Sequence, residues 1–197
     1  MDENITVELF CKRYSASYEH ALQISNYAKL EKIKKNDFII KQDTINDKMY
    51  VVNEGMVRGV RFAGTHETTI WFATKGQAFC CPKSFAKREK AAITVQAISD
   101  CSVYSMSREE IDDLNSKYPN LKNICLNVFK ELVIGVINFR FVILDHLNST
   151  ERYLAFCKLR PEIYYKIPLK YVSSYLGIAQ QSLSRIRKSL KKQGIVQ

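Results

Sequence analysis

Residues 167–190 read IPLKYVSSYLGIAQQSLSRIRKSL and carry a helical hydrophobic pattern with a single break at Gly177. One apolar face runs through both halves of this stretch: Val172, Leu176, Ile178, Leu183, Ile186 and Leu190. A glycine suits a sharp angle between two helices, because it adopts a positive φ without a steric penalty. We therefore predict two helices, Pro168–Leu176 and Gln180–Lys192, joined by a tight turn.

The face of the second helix that lies opposite the apolar residues is polar and basic. It consists of Gln180, Gln181, Ser184, Arg185 and Lys188. In the major groove of DNA, glutamine can form two hydrogen bonds with adenine and arginine two with guanine. The helix contains no glutamate or aspartate, although a helix surface that served only solubility would usually carry some. This pattern indicates a helix that contacts double-stranded DNA.

The positive charge of the chain is concentrated in its C-terminal quarter. From Glu151 to Gln197 there are ten Lys and Arg residues and two Glu residues, a net +8 of the formal +10 that all 197 residues carry. A nearly neutral body with a strongly basic end is typical of a polyanion-binding module. A basic surface that only aids solubility would have the same charge, so charge alone leaves both interpretations open.

The N-terminal part of the chain shows a different pattern. The first 30 residues have helical spacing, and from Asp37 onward short β-branched and aromatic runs alternate with turn-forming residues. These runs are 38–40, 49–52, 56–60, 68–72, 93–98 and 102–106. Short strands at this spacing predict an antiparallel barrel or roll. Ser107, with glutamates two and three positions later, predicts the start of a helix.

A longer helix is predicted from about Asn120 to about His146. Its apolar seam steps alternately by four and three residues through Leu121, Cys125, Val128, Leu132, Gly135, Phe139 and Val142, and on to His146. This is the heptad spacing of helices that pair side by side. We therefore predict a homodimer whose interface is formed by the first seven of these residues. A single buried core helix in a monomer is the alternative interpretation.

The stretch Val172–Val196 closely resembles the helix-turn-helix of the cyclic AMP receptor protein and fumarate–nitrate reduction regulator (Crp/Fnr) superfamily of bacterial transcription factors. The resemblance rests on Ser-Leu-Ser-Arg-Ile-Arg-Lys, which follows a Leu-Gly-Ile turn. It implies an α+β chain in three parts. These are a cyclic-nucleotide-binding-like antiparallel β-roll in residues 1–118, a dimerisation helix in residues 119–147, and a helix-turn-helix DNA-binding domain in residues 148–197.

The resemblance also implies roles for individual residues. Gln180, Gln181 and Arg185 match the base-reading positions of the superfamily, with Ser184 on the same face. Lys170, Ser182 and Lys188 fall where its members touch phosphates. Ala179 departs from the usual serine or threonine, so a helix cap and a phosphate-binding hydroxyl are missing. The implied function is that of a homodimeric, sequence-specific transcription regulator that binds an inverted repeat in DNA, with RNA polymerase as a further candidate partner.

The resemblance predicts a degenerate effector pocket. In the cyclic-nucleotide receptors of the superfamily, a Gly-Glu pair begins the phosphate-binding cassette and an Arg-Ser/Thr-Ala triplet completes it. In the matching stretch, Gly76 is kept, Gln77 replaces the glutamate, and Ala91 and Ala92 replace the arginine and the serine. Alanine cannot supply two charged hydrogen bonds to a buried phosphate. We therefore expect that cyclic AMP does not control this protein.

Other classes of function have less support in the sequence. The six cysteines show no CxxC spacing, so we expect reduced thiols and neither a metal site nor a cofactor. An enzyme with Cys80 or Cys81 as nucleophile would need a nearby base, which no histidine is placed to provide, so we expect no catalytic residues. A further alternative is an effector-binding module that acts through protein contacts, with a vestigial helix-turn-helix.

The location of the protein is predicted from what its sequence lacks. An acidic, polar N-terminus is unsuited to a secretory signal, and no run of 18 apolar residues occurs. We therefore expect a cytoplasmic protein without membrane contact.

Overall fold

The computed structural model describes residues 3–144 and 148–196. It begins with the helices α1 (Glu3–Tyr14) and α2 (Tyr18–Tyr27). Among these residues, eight strands and one short helix follow: β1 (Lys29–Ile33), β2 (Phe38–Ile40), β3 (Lys48–Glu54), β4 (Met56–Ala63), β5 (His66–Thr74), β6 (Ala78–Phe79), α3 (Pro82–Lys87), β7 (Thr94–Ala97) and β8 (Cys101–Ser107). The remainder is helical: α4 (Arg108–Lys117), a 3₁₀ turn (Pro119–Leu121), α5 (Lys122–Leu144), α6 (Ser149–Leu159), α7 (Leu169–Leu176) and α8 (Gln180–Lys192).

In the described part of the chain, the strands form two antiparallel sheets that make a β-roll. The strand orders are β1-β8-β3-β6 and β2-β7-β4-β5. Val52, Val57 and Val95 are fully buried in the core of the roll, because alternate residues of a strand point to opposite faces of its sheet. These observations confirm the predicted α+β class and the antiparallel roll.

The predicted strand runs correspond to β2, β3, β4, β5, β7 and β8. The sequence pattern did not predict β1, because three of its five residues are charged. Its charges are accommodated at the edge of the sheet, where Lys29 pairs with Glu110 at 2.7 Å and Glu31 pairs with Lys48 at 3.0 Å. Charged residues on an edge strand are a common way of preventing unwanted strand pairing.

Helix α4 starts at the predicted cap. The Ser107 side chain accepts a hydrogen bond from the Glu110 N–H, and the Glu110 carboxylate accepts one from the Ser107 N–H. These two bonds form a capping box. The hydrogen bond from Lys29, together with that from the Ser107 N–H, lowers the pKa of Glu110 to about 2.

Helix α5 is present as predicted, although its role in dimerisation remains a prediction and residues 145–147 lie outside the described residues. Leu121, Ile124 and Val128 are buried in a core formed with α1, α2, α4 and the outer face of the roll. The N-terminal part of the predicted seam therefore faces the chain's own core. Leu121 and Val128 are not available to a partner in this arrangement, which corrects the predicted interface.

The rest of the predicted seam is divided between several environments. Cys125 and Leu132 are half-buried and Gly135 is exposed, while the side chains of Phe139 and Val142 lie outside the described residues. Large apolar side chains are exposed on the opposite side of the helix: Leu126, Ile134, Ile137 and Phe141. At about 100° per residue, this stripe lies roughly half a turn away from the seam. A sequence spacing identifies an apolar face but cannot tell whether the chain itself covers it.

The C-terminal helices share one hydrophobic core with the roll. Phe72 and Ile98 of the roll pack in the same cluster as the buried residues of α6, α7 and α8. Helix α7 lies on β5, where the Ser174 hydroxyl accepts a hydrogen bond from the Thr69 N–H at 2.9 Å. None of the helices in the described ranges is long and apolar enough to cross a membrane.

Arg58 of β4 joins the roll to α7. Its side chain is only 2% exposed, and its five N–H groups make five hydrogen bonds, to Gln96, Glu67 and Thr69, at 2.8–3.3 Å. The guanidinium carbon lies 3.7 Å from the ring centroid of Tyr171 on α7. We call these five residues the Arg58 cluster. A buried charge is tolerated only when it is paired and hydrogen-bonded, as it is here.

We expect Tyr171→Leu to lower the free energy of unfolding by about 1–2 kcal/mol, because the substitution removes a desolvated cation–π interaction. Urea denaturation followed by circular dichroism measures this change. A double-mutant cycle with Arg58→Met isolates the interaction from the general effect of each substitution.

Tyr165→Leu is the matched control. Tyr165 is 41% exposed and its ring lies 5.3 Å from the Lys166 ammonium nitrogen, whereas Tyr171 is 5% exposed. We expect the control to change stability by no more than about 0.5 kcal/mol. A coupling energy near zero between positions 58 and 171 would show that this interaction does not stabilise the fold.

Candidate functional site

Helix α8 is amphipathic, with a buried and an open side. Leu183 and Leu190 are buried against the other C-terminal helices, and Ile186 is partly buried. The predicted DNA-contacting residues of this helix are all exposed: Gln180, Gln181, Ser182, Ser184, Arg185 and Lys188. At about 100° per residue, all except Ser182 lie within roughly 140° of the helix circumference. They therefore form one continuous polar and basic surface, which we call the α8 face.

The turn before α8 is built around Gly177. This residue has φ +65° and ends α7 by donating its N–H to the Ser173 carbonyl oxygen. Arg152 of α6 donates to the Leu176 carbonyl oxygen at 2.9 Å and so holds the end of α7. Ala179 begins α8 without a side-chain cap, as its sequence implies. The first N–H groups of a helix lack intrahelical partners, so this exposed end can donate to an anion.

The surroundings of the α8 face are uniformly basic. After Glu162 the sequence contains no acidic residue but seven Lys and Arg residues. Lys170 on α7 is exposed, and its ammonium nitrogen lies 4.6 Å from the centroid of the Tyr171 ring. Clustered charges of one sign attract a polyanion over distances of about 10 Å at 0.1 M salt.

The structure does not bring the four predicted effector-pocket residues together. Gly76 has φ +75° in the turn between β5 and β6, where a side chain would collide with Leu9 of α1. The Gln77 side chain accepts hydrogen bonds from the Thr74 N–H and from Arg160. Ala91 is buried in the core of the roll, whereas Ala92 is exposed. The sequence pairing of Gly76–Gln77 with the start of the cassette is thus revised.

Cys81, and not Gln77, shares an environment with Ala91. Cys81 lies directly before α3 and donates to the Ile93 carbonyl oxygen at 3.7 Å. Both residues belong to the core of the roll, together with Tyr50 and Phe79, whose rings stack at 5.0 Å. The interior that the cassette encloses is therefore lined by thiol, methyl and aromatic groups.

The cysteines of the roll are poor nucleophiles. Burial raises the pKa of Cys80 to about 12 and that of Cys81 to about 11. Because the thiolate is the reactive form, such thiols are inert at neutral pH. Within residues 3–144 and 148–196, no group of three His, Cys, Asp or Glu side chains could hold a metal ion.

The comparison with known sequences identifies the roll. Residues 30–118 match the sequence profile of the cyclic nucleotide-binding domain. No curated protein matches the chain in sequence.

Solved structures with similar folds cover most of the chain. The c-di-GMP responsive global regulator CLP of Xanthomonas campestris has a TM-score of 0.71 at 11% identity, over 90% of this chain and 93% of that chain. FixK2 of Bradyrhizobium japonicum has a TM-score of 0.70 at 18% identity, over 85% and 86%. A protein of Eubacterium rectale assigned to the Crp/Fnr family of transcriptional regulators has a TM-score of 0.65 at 14% identity, over 93% and 87%. Residues 30–118 are therefore similar to a cyclic nucleotide-binding domain, and the fold of the chain is similar to that of Crp/Fnr regulators.

The similarity of fold confirms the Crp/Fnr resemblance, whereas the helix-turn-helix role of residues 172–196 stays a prediction. Three residues that connect the roll to the C-terminal helices are not among those predicted from the sequence: Arg58, Tyr171 and Arg160. An arginine within the apolar run 56–60 is a usable signal, because charged residues are rarely buried unless paired. Nothing in the sequence pairs Tyr171 or Arg160 with the roll, since both contacts depend on how the helices pack.

We expect neither cyclic AMP nor cyclic GMP to bind this cyclic nucleotide-binding domain at micromolar concentration. Ala91 supplies no guanidinium for the phosphate, and its surroundings in the core are apolar. Isothermal titration calorimetry with each nucleotide tests this expectation. Saturable heat with micromolar affinity for either nucleotide would show that another group of the roll holds the phosphate.

Proposed function

We propose that this protein is a homodimeric, sequence-specific DNA-binding transcription regulator that is not controlled by cyclic AMP. The observation that carries the proposal is the α8 face. It is an exposed surface of glutamine, serine, arginine and lysine, on a helix whose other side is held in the core by Leu183 and Leu190. A rigid helix with such a surface fits the major groove of DNA.

Individual residues take different parts in the proposed interface. Arg185 reads a guanine, and Gln180 and Gln181 read adenine or a neighbouring base. Lys170, Ser182 and Lys188 contact phosphates and set the position of the helix on the duplex. The uncapped start of α8 offers backbone N–H groups to a phosphate, which compensates in part for the missing hydroxyl at Ala179.

The proposed homodimer forms through the exposed apolar stripe of α5. Large side chains exposed on one side of a long helix indicate that a partner covers them. In a two-fold dimer, the same stripe contributes from both subunits, so the surface must be complementary to itself. We propose the stripe of Leu126, Ile134, Ile137 and Phe141 as this surface, because these side chains are exposed whereas Leu121 and Val128 of the predicted seam are buried.

A two-fold dimer carries two α8 faces and therefore recognises an inverted repeat. The half-sites of such dimers lie about one helical turn of DNA apart, roughly 34–36 Å. The similar structures include proteins described as transcriptional regulators, which supports a role in transcription. RNA polymerase is proposed as a further partner on the resemblance alone.

We expect Arg185→Ala to weaken binding to the preferred DNA site by about 1–3 kcal/mol, with the loss concentrated at one base pair. The preferred site is first selected from random DNA, and affinities are then measured by fluorescence anisotropy on the site and its single-base variants. Lys188→Ala is the matched variant. It is expected to weaken all sequences alike and to lower the salt slope by about one.

Equal, sequence-independent losses in the two variants would mean that α8 binds only the DNA backbone. A wild-type protein that selects no sequence and binds no DNA would contradict the proposal. It would favour a module that acts through protein contacts.

We expect Phe141→Asp to convert the dimer into monomers, because a charge in a self-complementary apolar stripe cannot be paired across the two-fold axis. Sedimentation velocity measures the change. Ile45→Asp is the control, since Ile45 lies outside α5 and is as exposed as Phe141, both at 61%. A Phe141→Asp dimer of unchanged stability would place the interface elsewhere.

A further inference from the structure

A cavity of about 450 Å³ lies where the roll, α5 and the C-terminal helices meet. Its walls include β5 and β6 of the roll, Leu132 and Gly135 of α5, and Arg160 and Tyr175 beyond them. Small-molecule sites are commonly cavities of about 300–1,000 Å³ at such junctions. Cys81 and Ala91 do not belong to the walls, whereas Phe79 belongs both to the walls and to the core of the roll.

Aromatic rings form much of the cavity wall. Trp71 and Phe79 lie with ring centroids 5.9 Å apart, and Tyr175 of α7 packs edge-on against Phe72 at 4.9 Å. Such a wall favours a ligand with an aromatic or other apolar body, because burial of both surfaces removes them from water.

Arg160 lines the same cavity together with Arg13, Glu131 and Glu162, and its guanidinium is held in place by several bonds. Its side chain is 15% exposed and bonds to Glu162 at 2.9 Å, to the Gln77 side chain at 3.2 Å and to the Phe72 carbonyl oxygen at 3.4 Å. A guanidinium group has five N–H donors, and these bonds use three of them. The protein therefore fixes the guanidinium in place and leaves two of its N–H groups without a bond to any described residue. These N–H groups can donate to the planar carboxylate of a ligand.

We propose that this cavity binds a small carboxylate with an aromatic or other apolar body, and that this ligand regulates the protein. The regulatory part rests on the proposed function. Because the walls belong both to the roll and to the C-terminal helices, a bound ligand stabilises one placement of the DNA-reading helices over others. The ligand adds to the bonds of Arg160 to the roll without replacing them.

The chain contains its own probe for this site, since Trp71 is its single tryptophan. The experiment titrates the full-length protein with 3-phenylpropionate and follows the fluorescence of Trp71. The neutral 3-phenylpropionamide, of nearly identical shape, is the matched ligand. We expect a saturable change with the carboxylate and about tenfold weaker binding of the amide, which cannot form the charge-assisted bonds.

Two variants test the site from different sides. Gly135→Leu adds a large side chain to the cavity wall, where a Cβ would meet no atom within 4 Å. Leucine is also a better helix former than glycine, so this variant should not lose stability. Arg160→Gln removes the charge. We expect both to abolish the fluorescence change, whereas Arg61→Gln, an exposed arginine of β4, leaves it intact.

The outcomes separate the site from its regulatory role. No response to 3-phenylpropionate up to about 10 mM, well above usual metabolite affinities, would overturn the site. Equal binding of the amide, or an unchanged response of Gly135→Leu, would overturn it as well. Saturating ligand is expected to change the DNA affinity at least about fivefold, and a smaller change would overturn the regulation alone. If the protein binds no DNA, the proposed function fails while the fluorescence titration still decides the site.

Discussion

The buried guanidinium of Arg58 constrains how the two parts of the molecule fit together. Removal of one partner from a buried ion pair typically costs about 3–5 kcal/mol, so the position of Arg58 requires its hydrogen-bond partners to be present together. Gln96, Glu67 and Thr69 satisfy the edge of the guanidinium, and the ring of Tyr171 covers one face of it. The first three belong to the roll and Tyr171 belongs to α7. The buried charge of the roll is therefore covered on one face by the helical unit that carries the α8 face.

The sides of helix α5 have different surroundings. One side, at Leu121 and Val128, closes the core beneath the roll and ties the helix to its own subunit. The opposite side carries the exposed apolar stripe that a second copy would cover. Gly135 lies further along the first side and lines the cavity beside Arg160. The cavity is therefore bordered both by α5 and by the C-terminal helices.

Features that neighbouring residues determine can be predicted from this sequence, whereas features that depend on contacts between distant segments cannot. Local rules suffice for the Ser107 capping box and for the αL turn at Gly177, because neighbouring residues determine both. The exposed face of α8 is likewise predictable, since its hydrophobic side is regular. The location of Gln77 and the side of α5 that is buried were not predictable, because both depend on segments far away in sequence, such as α1 and α6. The strand β1 was missed because its charges mask its pattern.

The interior of the roll is apolar at the position where a cyclic nucleotide would need a charged group. A cyclic phosphate would need a buried positive group, and the position expected to supply it holds Ala91 among the stacked rings of Tyr50 and Phe79. An arginine does reach the outer wall of the roll, where Arg160 bonds to Gln77 and Phe72. That arginine comes from the C-terminal helices and not from the cassette. The buried face of the roll interior thus lacks a charged group at Ala91, whereas its junction with the C-terminal helices contains Arg160.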